Sequence, residues 1–200
     1  MDKVVTIEEL EKLYDKPFQG PLDKVQAAIT PMYEKWIKHS RFTTLTTVGP
    51  EGTDASPRGD IDSVARIVDP NALWLPDWRG NNRLDSLRNI VRDGRVSLMF
   101  MVPGTNNVVR VNGTAILTAD ETVTQTFEHN GKTPKTVIVV KVQEVYFQCA
   151  KALMRSKLWK SEDESKLVPT AGDFLKEFEE GFDAQSYDEG YAEYAKDKMW

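Results

Sequence analysis

Between Phe42 and Val48 the chain alternates β-branched and apolar residues in a period of two, and Gly49-Pro50-Glu51-Gly52 follows. This predicts a strand, a tight turn and a returning strand through Ala55–Arg58. Short strands at Ala65–Val68 and Ala72–Leu75 are separated by the turn signal Asp69-Pro70-Asn71. Arg95–Val102 is the most apolar strand. Pro103–Asn107 turns it into a long partner at Val108–Leu117, and Thr136–Phe147 resumes strand. The count is about six strands joined mostly by hairpins, without the strand-helix alternation of a doubly wound fold. An antiparallel barrel with peripheral helices is the predicted architecture.

Helical spacing marks the rest. Thr6-Ile7-Glu8-Glu9 has the form of a capping box, and Pro17, Gly20 and Pro21 end that first helix. Leu22, Val25, Ala28, Ile29, Met32, Trp36 and Ile37 recur at three- and four-residue steps around Pro31, predicting two short helices or one kinked helix over Leu22–His39. Arg83–Arg92 shows an apolar face of Leu84, Leu87, Ile90 and Val91, closed by Gly94. Asp120 caps a helix at Glu121–Phe127, and further helices are predicted at Cys149–Trp159, Asp173–Phe182 and Tyr187–Met199. The domain plan is a helical segment over 1–40, a barrel over 41–160 and an acidic helical extension over 161–200.

Charge sharpens that division. The 200 residues carry 26 Lys+Arg and 31 Asp+Glu, but residues 161–200 alone hold about −8 and the rest about +3. A single cysteine, Cys149, permits no intrachain disulfide and reads as a buried core thiol. No apolar run approaches the ~20 residues of a membrane span, no signal-peptide core opens the chain, and a cytoplasmic protein is expected. A net charge of −5 argues against a dedicated nucleic-acid binder. His39 and His129 stand apart, so no zinc pattern exists, and Walker, Gly-x-Gly-x-x-Gly and Gly-x-Ser-x-Gly motifs are missing.

Three segments carry candidate chemistry. In Asp77-Trp78-Arg79-Gly80-Asn81-Asn82-Arg83 a strand gives way to a helix, whose start offers free N–H groups and a partial positive charge. Arginine forks there suit a phosphate; the plain alternative is a turn whose Asn residues cap the helix. Lys151 and Arg155 lie four apart, where like charges repel unless an anion is shared, and Trp159 adds a flat face. The plain alternative is an amphipathic helix with snorkelling cations. Ser56 and Arg58 share a strand face beside Gly59-Asp60, which reads either as a cleft edge or as a turn held by an Arg–Asp pair. Arg110 and Asn112 share another face.

Taken in order, Thr46–Thr53, Ser56–Asp60, Leu75–Arg83, Arg95–Phe100, Arg110–Gly113 and Cys149–Trp159 resemble the pyridoxamine 5′-phosphate oxidase-related flavoproteins of the FMN-binding split-barrel fold. The resemblance spans about residues 25–160. It implies a homodimer with two FMN molecules at the subunit interface, and an oxidoreductase acting on a small-molecule substrate. It also implies phosphate contacts from Arg79, Asn81, Asn82 and Arg83, with Ser86 a weaker candidate. Ser56, Arg58 and Asp77 then flank the flavin, and Lys151, Arg155, Ser156 and Trp159 reach the cofactor of the opposite subunit. The Arg-containing ending of true pyridoxamine-phosphate oxidases has no counterpart in the acidic tail, so vitamin B6 oxidation is not expected. Two other readings stay open: a non-catalytic flavin- or haem-binding storage or sensor module, and an acidic-partner or nucleic-acid surface over Arg79–Arg95, which the tail would cover.

Overall fold

Strand β1 (Phe42–Gly49) buries Thr43, Leu45 and Thr47 on one face and turns directly into β2 (Gly52–Gly59), with Gly49 opposite Gly52. The computed structural model describes residues 3–15, 24–160, 162–196 and 198–200. Pro17, Gly20, Pro21 and Leu22 lie outside the described residues, so the predicted end of the first helix is not placed. The other strands are β3 (Arg66–Asp69), β4 (Ala72–Asp77), β5 (Arg95–Met101), β6 (Val108–Thr118) and β7 (Thr136–Gln148). All pairings are antiparallel, in the order β2-β1-β5-β6-β7-β4-β3. Each strand segment named from the sequence forms, which makes seven strands where the count was about six, and the one expected at Ala65–Val68 pairs as edge strand Arg66–Asp69.

Chain length forces this sheet to roll. Strands lie about 4.8 Å apart, so the edges of a flat seven-stranded sheet would be about 29 Å apart. Only residues 60–65 connect edge β2 to edge β3, and an extended link of that length reaches at most about 25 Å. That link is itself tied down, since Val64 N donates to Ser40 O (2.9 Å) and Ser63 Oγ to Ile37 O (3.0 Å). The edges therefore approach each other without a hydrogen-bonded ladder between β2 and β3 or β4 among the described residues. The barrel is split there, and the Arg58–Asp77 ion pair spans the gap (2.5 Å).

Leu45, Leu98, Phe100, Val111, Ile138 and Val140 fill the interior, and Leu73 and Leu75 close it from β4. On the core-facing side of β7 the buried positions run Ile138, Val140, Val142 and then skip to Val145. A bulge explains the odd step: Asn112 faces Glu144 while Gly113 faces Val142, leaving Gln143 unpaired. Gly113 is required there, because a Cβ would lie 2.1 Å from the Lys141 carbonyl oxygen.

Helices cap the barrel. α1 (Ile7–Glu11) has the predicted capping box but buries nothing. α2 (Pro31–Lys38) inserts Tyr33 and Ile37 into the core. It begins at Pro31, a proline suited to the first turn of a helix, and residues 24–30 before it are not helical, so the described part of the predicted Leu22–His39 span holds one helix. Gln26 instead bridges Val145, and Val25 and Met32 are exposed. α3 (Asp85–Arg92) packs Leu87 and Ile90 inward. α4 (Glu121–Thr124), capped by Asp120, runs into a 3-10 turn at Gln125–Phe127. α5 (Lys151–Ser156) is shorter than the predicted Cys149–Trp159 and leaves Cys149 exposed, which corrects the buried-thiol reading. In the tail, α6 (Ala171–Phe178) and α7 (Ala184–Lys196) touch closely at Gly172, where a Cβ would meet the Ala184 carbonyl oxygen at 2.5 Å. Among the described residues no helix is long and apolar enough to cross a membrane, and no cluster of His, Cys, Asp or Glu is arranged to hold a metal ion.

Candidate functional site

The turn between β4 and α3 is set by two left-handed residues, Asn82 (φ 60) and Leu84 (φ 31). Asparagine tolerates that region; a leucine there costs roughly 1–3 kcal/mol, held by its surroundings. The helix consequently starts at Asp85, two residues beyond the predicted Arg83. Asn81 Oδ1 accepts from Arg83 N (3.0 Å) and so folds the turn rather than capping the helix. Leu84 occupies the cap position and supplies no oxygen, leaving the first N–H groups of α3 without a side-chain cap.

This uncapped helix start opens onto a groove of about 1600 Å³, between the inner face of β2, the end of β4, the start of β7 and the tail. Eight of the expected residues line it: Ser56 and Arg58 from β2, Asp77 from β4, Arg79, Asn81, Asn82 and Arg83 from the turn, and Ser86 from α3. The structure does not bring the other four there. Lys151, Arg155 and Ser156 lie beyond the opposite end of β7, where Trp159 Nε1 donates to Thr105 O (2.6 Å) and Ser156 Oγ to Leu153 O (3.1 Å).

Within the groove the donors divide into engaged and free. Arg58 Nη1 pairs with Asp77 Oδ1, not with Asp60, which accepts from Trp78 Nε1 (2.9 Å). The turn-stabilising reading of Ser56–Asp60 is thereby replaced by a strand whose arginine reaches across the split. Arg58 Nε is buried and lacks a hydrogen-bond partner, as does Thr136 Oγ1 directly opposite Asp77 in register. Buried orphans of this kind are rare and call for an acceptor or donor from outside the chain. Ser86 Oγ is occupied, donating to the Asp54 carboxylate. Arg83 is 81% exposed and bonded to Asp85 (2.5 Å), while Arg92 pairs with Glu51 (2.9 Å). Arg95 pairs with Asp93, whose pKa falls below the usual aspartate range chiefly through the Arg95 side-chain hydrogen bond. Arg79 and Arg88, both groove-lining, pair with no carboxylate among the described residues.

Asp54, Thr136, Tyr191 and Trp200 also line the groove and were not expected, and Arg88 joins them from the arginine-rich stretch Arg79–Arg95. Asp54 lies two residues before Ser56 on the same strand face, a period-two signal. Arg88 stands one turn after Leu84. Thr136 becomes visible only through the β4–β7 register, and nothing in the sequence marks Tyr191 or Trp200. Arg110 and Asn112 serve the sheet instead: Arg110 stacks on Tyr146 (5.4 Å to the centroid), and Asn112 bonds Ser97 and Glu144.

Among solved structures, a HupZ variant from Group A Streptococcus overlays with a TM-score of 0.50 at 18% identity, covering 60% of this chain and 99% of that one. A candidate pyridoxamine 5′-phosphate oxidase of Lactobacillus delbrueckii gives 0.49 at 21% identity, covering 60% and 95%. An FMN-binding protein from Syntrophomonas wolfei gives 0.42 at 14% identity, covering 59% and 89%. No curated protein matches. The model described as pyridoxamine 5′-phosphate oxidase matches residues 29–149, a region holding α2, all seven strands and the β4–α3 turn but not the tail. The match covers more than half the chain and the sheet has the split-barrel form: the protein belongs to the pyridoxamine 5′-phosphate oxidase family.

Proposed function

We propose that the groove binds FMN and that the protein is an FMN-dependent oxidoreductase acting on a small-molecule substrate other than pyridoxamine phosphate, as a homodimer with FMN at the interface. The observation that carries this reading is the set of unsatisfied donors around one groove: buried Arg58 Nε, the uncapped start of α3, and Arg79 and Arg88, which pair with no carboxylate among the described residues. A phosphate linked to a flat polar ring satisfies both ends of that set. Arg79, Arg88, Asn81, Asn82 and the α3 N–H groups are the phosphate candidates. Arg58, Thr136 and Ser56 are the candidates for the polar edge of the ring. Asp77 holds Arg58 in place. Bound there, FMN supplies the capacity to accept and pass on a hydride or single electrons, while the protein supplies orientation and a partly dry wall. Lys151, Arg155, Ser156 and Trp159 enter this scheme only from a second subunit.

The test is a visible spectrum of freshly purified protein, followed by titration with FMN. A flavin spectrum, or saturable uptake of about one FMN per chain, is expected. A sample that stays spectrally flat in excess FMN sinks the assignment, and a Soret-type band replaces flavin with haem. Anaerobic bleaching of bound flavin by NADH or NADPH, with turnover on an added acceptor, tests the oxidoreductase half.

A further inference from the structure

The acidic tail returns to the groove, but not with its acids. Of the described residues in α7 and beyond, Tyr191, Met199 and Trp200 line the groove, while Asp188, Glu189 and Glu193 do not. Those carboxylates are engaged elsewhere: Asp188 accepts from Gly172 N (2.9 Å), Glu189 from Gln185 (2.8 Å), and Glu193 pairs with Lys196 (2.5 Å). A segment evolved to neutralise the arginine patch would set carboxylates on Arg79, which has none from the described residues. The tail meets the groove with uncharged, mostly aromatic side chains. Trp200 is half-buried and held by the His129 ring, with centroids 4.7 Å apart.

Volume decides between a plug and a wall. About 1600 Å³ remains with the tail in place, above the ~300–1,000 Å³ typical of a small-molecule pocket. Nothing has to be displaced for a ligand to enter. We infer that the C-terminal segment is a built-in wall of the ligand site, in which Trp200 and Tyr191 present aromatic faces to the ring of a planar ligand. The inference rests on the flavin reading for the identity of that ligand. It assigns the tail, which lies outside the family match, a binding role in place of a solvated appendage.

The unaltered 200-residue chain is compared with Trp200→Ala and Tyr191→Ala, both at half-buried or exposed positions that leave the barrel intact. Without any ligand, hydrogen exchange over residues 77–83 and 132–136 is expected to speed up in Trp200→Ala. Unchanged exchange in both segments overturns the wall. With FMN and with riboflavin, which keeps the ring and lacks the phosphate, each variant is expected to bind about 3- to 10-fold more weakly, the worth of one aromatic contact. The loss is expected to be equal for the two flavins, with bound-flavin fluorescence rising as an aromatic quencher is removed. A loss confined to FMN, or none for either flavin, overturns the ring contact. Wild-type protein that takes up neither flavin overturns the flavin reading, and the ligand-free exchange still decides whether the tail walls the groove.

Discussion

Replacing Asp77 with Ala tests whether the barrel is clasped across its split by a side chain. Arg58 and Asp77 belong to strands with no hydrogen-bonded ladder between them, and their side chains retain only 19% and 17% exposure. Exposed pairs contribute about 0–1 kcal/mol, whereas removing one partner of a fully buried pair costs about 3–5 kcal/mol. At this burial the cost is expected near 2 kcal/mol, because Arg58 keeps its charge, already has an orphaned Nε, and loses its one carboxylate. In a chain of this size each kcal/mol moves Tm by about 2–4 °C, so the variant is expected to melt about 4–8 °C lower. Urea unfolding is expected to show a lower midpoint with an unchanged slope. Arg58→Met with Asp77→Ala is expected to be less destabilised than Asp77→Ala alone, since no charge is then stranded. A single Asp77→Ala variant within about 0.5 kcal/mol of wild type, inside the range of an ordinary surface change, refutes the clasp.

Gly113→Ala drives a Cβ against a backbone oxygen at the β7 bulge and is expected to cost about 3 kcal/mol or more, read by urea unfolding. Arg79→Ala and Arg88→Ala are each expected to weaken FMN binding about tenfold while leaving riboflavin unaffected, since a hydrogen bond to a charged group is worth about 1.5–3 kcal/mol. Arg83→Ala, whose guanidinium is exposed and held by Asp85, is expected to change FMN affinity less than twofold in the same fluorescence titration. The tail is expected to unfold first in acid. Asp173 is held below the usual aspartate range chiefly by the Thr170 backbone N–H, and Asp183 chiefly by the Ser186 side chain. Their charged forms are the favoured ones in the fold, so that support is complete above the unfolded value near 4 and disappears as pH falls through the lower folded values. Far-UV circular dichroism is expected to lose helix below about pH 4 while near-UV signals of the barrel persist.

The strands were legible because burial on one face imprints a period of two, as Thr43, Leu45 and Thr47 show. Local chemistry was equally readable at Thr6 and Asp120, whose caps depend on neighbours three residues away or fewer. Legibility failed where a distant partner decides. Val25–Ile29 has helical spacing, yet Gln26 is taken by β7 across more than a hundred residues of chain. Cys149 follows the last residue of a strand whose inner face has already ended, so its thiol meets water. That Arg58 lines a groove was legible from its strand face, but its choice of Asp77 over Asp60 follows from the rolling of the sheet. The tail's aromatic contribution was hidden because a net charge averages over faces. α7 holds three carboxylates and three tyrosines, and of these only Tyr191, joined by Met199 and Trp200 beyond the helix, meets the groove.

The remaining cationic segment makes its own argument for a second copy. Thr136 lines the groove at one end of β7, and Lys151 follows the other end, about 40 Å away along a thirteen-residue strand. No lysine or arginine side chain spans that distance, so Lys151 and Arg155 have no part in their own chain's groove. In one chain they are exposed like charges four residues apart on α5, an arrangement that costs a few tenths of a kcal/mol and has no ion pair to offset it among the described residues. A shared anion supplied by a second subunit's site removes that cost. In the homodimer proposed above, Lys151→Ala with Arg155→Ala is therefore expected to weaken FMN binding, and FMN is expected to dissociate on dilution at the concentration where such a dimer separates. If the double variant binds FMN as tightly as wild type, or if a monomer proven by ultracentrifugation retains FMN at full affinity, the segment is an ordinary helix surface and each groove is complete within one chain.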